Sequence, residues 1–229
     1  DVVLKKYITF NKYTCNHYLK GFGVHVAESV LLRREAIGER LEVLAEEIVE
    51  RVGLPCFIKT NVGGSSFGVT KVKSVAEVEP AIEKAFAEGD EVICEAFMQG
   101  VEITCGAYKT KEKAVAFPIT EVVTNNEFFD YDAKYNGQVE EITPARIPNE
   151  MRQEVQELTL KIYDILGCKG IIRVDYIITM NEKQKRQINL LEVNTTPGMT
   201  ETSFIPQQVK AAGLKIGEVM SQIIENEIR

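Results

Sequence analysis

Two neighbouring segments in the last third of the chain alternate apolar and polar residues in the manner of β-strands. They span residues 171–178 and 188–194. Side chains two positions apart share a face of a strand, so each segment carries its polar groups on one side. The polar stretch 181–186 between them is typical of a turn. We therefore predict an antiparallel pair of strands.

Charged and amide side chains share one face of this predicted pair. The first strand contributes Arg173 and Asp175, and the second contributes Glu192 and Asn194. Carboxylate and amide oxygens are the ligands that Mg²⁺ prefers, and charges on such a face are costly unless they are paired or hold a cation. The alternative is a structural ion pair between Arg173 and Asp175, with Glu192 at a solvated edge. The turn at 197–198 favours a metal site, because loops at strand ends commonly bind ligands.

A glycine-rich loop follows a short buried strand in the first third of the chain. The strand, 54–59, ends in Lys59, and the loop, 60–68, places three glycines around Ser65 and Ser66. Glycine dihedrals let backbone N–H groups and hydroxyls converge on an anion. The lysine precedes the glycines, so the loop is not a P-loop. A hairpin turn without ligand is the alternative, and Lys59 favours phosphate.

The remaining apolar patterns predict a mixture of helices and strands. Helices are expected over 11–20, 37–52, 74–86, 149–167, 204–212 and 217–228, and strands over 24–32, 91–98 and 100–108. Asn149 and Ser203 are predicted N-caps, and Ser74 with Glu77 forms a capping box. The helix after Ser203 offers free N–H groups to an anion. The long polar segment 124–146 is typical of a functional lid or a disordered segment.

Composition narrows the class of partner. The 229 residues are 45% hydrophobic and 27% charged, which is typical of a globular protein. The net charge of −7 argues against a nucleic-acid partner. No apolar run is long enough to cross a membrane. The five cysteines lack metal-site spacing, so we interpret them as buried thiols in a reducing cytosol and expect small molecules or proteins as partners.

Four motifs together resemble the D-alanine-D-alanine ligases of the ATP-grasp superfamily. The motifs are residues 57–68, 130–135, 170–175 and 191–203, and their order and spacing match nearly the whole chain. The resemblance implies an α+β ATP-grasp fold with mainly antiparallel sheets, and ATP between subdomains 1–98 and 99–229. It implies a cytoplasmic, ATP-dependent ligase of peptidoglycan precursor synthesis, which phosphorylates one D-alanine and joins the acyl phosphate to a second.

The resemblance also implies which residues bind the nucleotide and the metal. The phosphates of ATP would contact Lys12, Lys59 and Lys134, with Ser65 and Ser66 on the closing loop. Glu95 and the backbone of Phe97 and Met98 would hold adenine, and Glu102 would hold the ribose. Two Mg²⁺ ions, or Mn²⁺ in their place, would be bound by Asp175, Glu192 and Asn194.

The catalytic groups follow from the same resemblance. Arg173 and the N–H of Gly198 would form the oxyanion hole, and Ser203 with the N–H of Phe204 would bind the carboxylate of the second D-alanine. Tyr135 on the lid favours D-alanine over a hydroxy acid.

Two departures from the family limit these expectations. Asn16 replaces a second lysine that is common in the family, and nothing matches the family's N-terminal domain, which supplies a catalytic glutamate. We expect the chain by itself to bind ATP and Mg²⁺ but to ligate D-alanine poorly. The alternatives are an ATP-grasp ligase for another substrate pair, such as D-alanine with D-lactate or D-serine, and a nucleotide-binding module without turnover. The resemblance also suggests a homodimer.

Overall fold

The computed structural model describes residues 8–37, 41–63, 68–124, 139–181 and 183–228. Within these ranges the strands form one sheet of seven and one sheet of four. The helices are α1 (Lys12–Lys20), α2 (Arg34–Ile37), α3 (Leu41–Val52), α4 (Val78–Phe86), α5 (Asn149–Ile165), α6 (Phe204–Ala211) and α7 (Ile216–Ile228). The strands are β1 (His25–Val26), β2 (Ser29–Arg33), β3 (Cys56–Thr60), β4 (Thr70–Val72), β5 (Glu91–Ala96), β6 (Val101–Lys109), β7 (Ala114–Ala116), β8 (Thr120–Thr124), β9 (Val139–Ile142), β10 (Ile171–Met180) and β11 (Arg186–Asn194).

The large sheet has the order β1-β11-β10-β6-β8-β9, with β7 beside β6. Its pairs are antiparallel except for β1 with β11. One apolar face is covered by α5, whose buried Val155 and Ile162 share a core with Val174 of β10. Inside this core the Thr159 hydroxyl lies 2.8 Å from the phenol oxygen of Tyr176. The helix α5 therefore packs beneath the strand pair of β10 and β11.

The small sheet has the order β2-β5-β3-β4 and is antiparallel throughout. Its core contains Ile48 of α3, Ile82 of α4 and Ile58 of β3, each buried almost completely. Two mainly antiparallel sheets with helices on their faces confirm the α+β class that was predicted. The division into subdomains at residues 98 and 99 stays a prediction, and β1, which precedes it, pairs in the large sheet.

A buried polar junction joins α1 to the small sheet. Asn11 caps α1 by accepting a hydrogen bond from the backbone N–H of Thr14 (2.8 Å). The Glu91 carboxylate of β5 accepts hydrogen bonds from the side chains of Asn11 (3.1 Å) and Asn61 (2.7 Å). Because buried polar groups are costly without partners, this junction holds the start of α1 against the end of β3.

Four sequence predictions of local structure were wrong in detail. The polar segment 124–146, predicted to be a lid or a disordered segment, contains the strand β9, which pairs with β8. The single strand expected over 24–32 is two strands, β1 and β2, which belong to different sheets. Asn149 is the first residue of α5, and the N-cap is Pro148. Ser74 and Glu77 do bond through their side chains (3.0 Å), but they lead into a 3₁₀ turn before α4. Local propensity does not fix such boundaries, because the surrounding fold decides where the ladder or helix starts.

The cysteines have the structural role that was predicted. All five are free thiols, and only Cys168 is more than slightly exposed. Burial is the main cause that raises the pKa of Cys15 to about 12, so this side chain stays a neutral thiol. Among the described residues, no helix has the length and apolar character needed to cross a membrane.

Candidate functional site

The four polar side chains predicted to share a face lie together on β10 and β11. In the antiparallel register, Asp175 is opposite Glu192 and Arg173 is opposite Asn194. The register shifts between Asp175 and Tyr176, which is a β-bulge or irregularity at the centre of the cluster. Bulges are frequent beside active sites because they change the direction of a side chain.

Hydrogen bonds surround the Asp175 carboxylate. Arg173 donates to both of its oxygens, from Nε to Oδ1 and from Nη2 to Oδ2, each at 2.9 Å. The Thr104 hydroxyl donates to Oδ1 (2.6 Å), and the Asn194 amide donates to Oδ2 (2.9 Å). The ion pair between Arg173 and Asp175, which was the alternative to a metal site, is therefore present. It does not exclude a ligand, because Asn194 donates through nitrogen and keeps its amide oxygen for a cation.

Arg173 keeps donors for a substrate while it holds Asp175. Burial is the largest single cause and acts to lower the pKa of this guanidinium. The charge and hydrogen bonds of Asp175, with the charges of Glu192 and Glu102, together outweigh burial, and the pKa is raised. Asp175 takes two of the five N–H donors that a guanidinium carries. The ring of Phe204 lies 5.2 Å from Cζ of Arg173, which is within the range of a cation–π contact. Arg173 is thus a permanent, oriented positive charge next to the start of α6.

The donor set on this face fits Mg²⁺ better than a softer metal. Two carboxylates and one amide oxygen on adjacent strands are hard ligands, and Mg²⁺ completes its octahedron with water and phosphate. No group of three or more His, Cys, Asp or Glu side chains that could hold a metal occurs in the described part of the chain. Mg²⁺ that is bound together with a nucleotide usually takes part of its ligand set from phosphate and water.

The N-terminal end of α6 lies beside the Gly198 turn. Ser203 is the N-cap by position, and its hydroxyl bonds to the Thr200 hydroxyl (2.7 Å) rather than to the helix. A Cβ added to Gly198 would lie 2.8 Å from the Ser203 hydroxyl oxygen, so only glycine fits without a shift. Pro206 has no N–H to offer in the first turn, which leaves the N–H groups of Phe204 and Ile205 as anion donors.

Lysines converge near the glycine-rich loop. Lys59 at the end of β3 forms a buried ion pair with Glu95 of the adjacent strand β5. Lys12 on α1 donates from Nζ to the carbonyl oxygen of Gly63, at the start of the loop. The same helix also packs on β11, where Asn16 donates to the Leu191 carbonyl (3.4 Å).

The predicted adenine and ribose contacts lie where the chain passes from the small sheet to the large one. Phe97 and Met98 follow β5, and the backbone N–H of Phe97 donates to the Pro55 carbonyl (3.3 Å). Glu102 lies at the start of β6, opposite Ile177 of β10, and its charge contributes to the raised pKa of Arg173. Ser65, Ser66, Lys134 and Tyr135 lie outside the described residues, so their predicted roles stay predictions.

Two residues in the site were missed by the sequence analysis. Thr104 touches the predicted metal ligand Asp175, but threonine is common in strands, so its presence in β6 carries no signal. Gln208 is completely buried in α6 between the apolar residues Ile205 and Val209. An amide inside an apolar helix stripe is a signal that could have identified Gln208.

Solved structures place this arrangement in a known fold. The VanG D-Ala:D-Ser ligase from Enterococcus faecalis superposes with a TM-score of 0.81 at 32% sequence identity, over 97% of this chain and 62% of that one. The D-alanine-D-alanine ligase from Bacillus anthracis superposes with a TM-score of 0.78 at 30% identity, over 99% of this chain and 69% of that one. The fold is that of the ATP-grasp ligases, which confirms the fold expected from the resemblance.

Sequence comparison narrows the class to one family. The family model described as D-ala D-ala ligase C-terminus matches residues 18–225. A D-alanine-D-alanine ligase from Bacteroides fragilis is 66% identical over 226 residues, which are 98% of this chain and 67% of that protein. The chain belongs to the D-alanine-D-alanine ligase family. It spans about two thirds of the length of this curated relative.

Proposed function

We propose that this chain carries the nucleotide, metal and acceptor sites of an ATP-dependent D-alanine-D-alanine ligase of peptidoglycan precursor synthesis. One observation carries the proposal: the face that holds Arg173, Asp175, Glu192 and Asn194 adjoins the N-terminal end of α6 through the Arg173–Phe204 contact. This arrangement supports the proposal, because a metal-bound phosphate, a developing oxyanion and an anionic acceptor would then lie next to each other. The proposed reaction takes place in the cytoplasm, where ATP is available.

The first half of the proposed reaction transfers the γ-phosphoryl group of ATP to the carboxylate of one D-alanine, with release of ADP. Such a transfer depends on positioning and charge neutralisation more than on covalent chemistry. Lys12 and Lys59 would neutralise phosphate oxygens. Asp175, Glu192 and Asn194 would hold two Mg²⁺ ions, which would supply further positive charge for the phosphates. Glu95, Phe97, Met98 and Glu102 would bind the adenosine part.

In the second half, the amine of a second D-alanine attacks the acyl phosphate, loses a proton and expels phosphate as the peptide bond forms. The remaining N–H groups of Arg173 and the N–H of Gly198 would bind the oxyanion of the tetrahedral intermediate. Each such donor is worth about 3 to 4 kcal/mol in other acyl-transfer sites. Ser203 and the N–H of Phe204 would bind the carboxylate of the second D-alanine, because a helix N-terminus favours an anion.

D-Serine is the second candidate for the acceptor. The observation that favours it is the structural likeness to a D-Ala:D-Ser ligase at 32% identity. Both amino acids present the same carboxylate and amine, so Ser203 and Arg173 do not distinguish them. The homodimer suggested by the resemblance stays a prediction.

A chimera tests the proposed function. The chain would replace the matching segment of the Bacteroides fragilis ligase, and the product would be identified by mass spectrometry after incubation with ATP, Mg²⁺, D-alanine and D-serine. We expect the D-alanine dipeptide, with one ADP and one phosphate released per dipeptide. A mixed D-alanine-D-serine product as the main species would favour the second candidate. Nucleotide binding without any dipeptide would contradict both and favour a module without turnover.

The chain by itself provides a second measurement. We expect it to bind ATP in a Mg²⁺-dependent manner and to release phosphate with D-alanine far more slowly than the chimera. Equal phosphate release by the two proteins would contradict the expectation that the chain alone ligates poorly.

A further inference from the structure

Strand β6 has a gap in its hydrogen-bond ladder next to the candidate site. On one edge it pairs with β10 along most of its length. On the other edge β8 covers Glu102 to Thr104 and β7 covers Ala107 to Lys109. Between these two partners, β6 has no strand beside it in the described part of the chain. At the gap the Gly106 carbonyl accepts a hydrogen bond from the backbone N–H of Phe117 (2.8 Å). The Gly106 N–H needs another partner, since buried polar groups are costly when unpaired.

The side chain of Gln208 closes this gap. Its Oε1 accepts a hydrogen bond from the backbone N–H of Gly106 (2.8 Å). Its Nε2 donates to the backbone carbonyl of Thr104 (3.0 Å) and to the hydroxyl of Thr120 (3.1 Å). A side-chain amide has the donor and acceptor of a peptide group. Gln208 therefore takes the place of a missing strand residue and bonds α6 to β6.

Gly106 lets the helix approach this closely. A Cβ on Gly106 would overlap the side chains of Ile205 and Phe117 and would lie 2.8 Å from Oε1 of Gln208. Only the absence of a side chain at this position allows α6 to lie directly on the strand. The distance between α6 and β6 is thus set by one buried amide and one glycine.

Thr104 connects the hydrogen bonds of Gln208 to the predicted metal ligand Asp175. It is opposite Asp175 in the β6–β10 ladder, and its hydroxyl donates to Oδ1 of that carboxylate (2.6 Å). Its carbonyl is held by Gln208. The start of α6, one turn before Gln208, contacts Arg173 through the ring of Phe204. Asp175 and the N-terminal end of α6 are therefore joined through Thr104 and Gln208, two residues that need not touch substrate.

We propose that Thr104 and Gln208 are positioning residues: Thr104 fixes the Asp175 carboxylate for the metal, and Gln208 holds the acceptor-binding end of α6 at a set distance from it. This inference deepens the proposed function and rests on it. Outer-shell partners of metal ligands tune affinity because they orient the ligand and hold its charge.

The first test compares Thr104→Val with Thr104→Ser in the 229-residue chain. Valine keeps the shape and removes the hydroxyl, whereas serine keeps the hydroxyl. The dissociation constant of Mn²⁺ is measured by electron paramagnetic resonance in the presence of a nonhydrolysable ATP analogue. We expect Thr104→Val to weaken Mn²⁺ binding by about 10- to 100-fold, as for other changes at residues that hydrogen-bond to a metal ligand, and Thr104→Ser to stay within about twofold of the wild type. Equal affinity in Thr104→Val and the wild type would overturn the role of Thr104.

The second test makes the same substitution at two adjacent positions of α6. Gln208→Met removes the hydrogen bonds between α6 and β6. Gln207→Met is the control, because Gln207 bonds to Glu141 and to the Thr202 carbonyl instead of to β6. We expect Gln208→Met to speed hydrogen exchange of the α6 amides at least about tenfold and to weaken Mn²⁺ binding, and the control to change neither. Wild-type exchange and affinity in Gln208→Met would overturn the role of Gln208. If Gln208→Met does not fold, the comparison of Thr104→Val with Thr104→Ser decides the proposal.

Different results would contradict the proposed function and the positioning role. A wild-type chain that binds neither Mn²⁺ nor the nucleotide analogue would contradict the proposed function itself. A wild-type chain that binds both, with Thr104→Val binding them equally well, would overturn only the positioning role.

Discussion

The two buried ion pairs of the site, one on each sheet, are constructed differently. On the large sheet the Asp175 carboxylate receives hydrogen bonds from Arg173, Thr104 and Asn194. On the small sheet Lys59 and Glu95 bond directly to each other, with 13% and 7% of their side chains exposed. Among the described residues, the side chains of this second pair make no further hydrogen bond. One pair is a network of several donors, and the other is a single contact.

The difference indicates two uses of buried charge. A buried ion needs its partner, because an unpaired charge inside a protein is strongly destabilising. Asp175 is held from several directions, so it can keep its place when one donor is exchanged for a cation. Lys59 and Glu95 depend on each other for neutralisation. In the proposed function, ATP would offer phosphate to Lys59 and adenine to Glu95. We therefore expect substitutions in the network to affect mainly metal-dependent chemistry, and substitutions in the direct pair to affect mainly stability.

The largest effect is expected for Asp175→Asn in the chimera. The substitution keeps the shape of the side chain and removes the negative charge that would hold the metal. A bound metal ion supplies several kcal/mol of charge stabilisation in a transition state. We expect dipeptide formation to fall roughly 1,000-fold. Product formation is measured against Mg²⁺ concentration.

The control for this change is Asp164→Asn on α5, whose carboxylate bonds to Lys109 at the surface and lies outside the site. It should leave the rate unchanged. Wild-type activity in Asp175→Asn would show that the network is only structural.

The next effect is expected for Glu95→Gln, which leaves the buried Lys59 ammonium without a counter-charge. We expect the free energy of unfolding to fall by about 3 kcal/mol, as for other buried pairs that lose one partner. Urea unfolding of the 229-residue chain measures it.

The matched control is Glu28→Gln, which breaks the exposed ion pair with Lys20. It should cost less than about 1 kcal/mol, because solvent screens surface pairs. If both variants lose the same stability, the Lys59–Glu95 pair behaves as a surface pair and the contrast between the two pairs is wrong.

The smallest effect is expected for a third pair, Arg146 with Glu121, at the far edge of the large sheet. Hydrogen bonds from Arg146 hold the pKa of Glu121 below its ordinary value of 4.5. A lowered carboxylate pKa stabilises the folded state above the unfolded pKa, and this contribution is lost as the pH falls through the folded pKa.

Arg146→Met should therefore be less stable than the wild type at neutral pH. The difference should shrink as the pH drops below 4.5, and thermal unfolding across that range measures it. A difference that is independent of pH would contradict the assignment of the pKa shift to Arg146.

Much of the site could be predicted because strand periodicity is strict. The alternation in β10 and β11 places Arg173, Asp175, Glu192 and Asn194 on one face, and the antiparallel register then sets them opposite each other. The bulge beside Asp175 could not be predicted, because it depends on how three strands fit together. The partners of Asp175 beyond β10 and β11 were missed for the same reason.

The prediction over residues 24–32 was wrong because a hydrophobic pattern does not indicate which sheet a strand joins. The apolar run at 24–32 predicts extended chain, and the chain is extended there in β1 and β2. The run does not indicate that β1 joins the large sheet and β2 the small one, since a strand's own residues are compatible with either neighbour.

The sequence by itself determined most of the helices and the longer strands, the α+β class, the family and the four polar residues on one strand pair, because these depend on short-range periodicity and on motif order. The tertiary structure alone decided which charges neutralise each other, as with Lys59 and Glu95. It also decided that Gln208 of α6 completes the ladder of β6, about a hundred residues earlier in the chain. Contacts between such distant residues form only when the sheets and helices pack, and no local pattern encodes them.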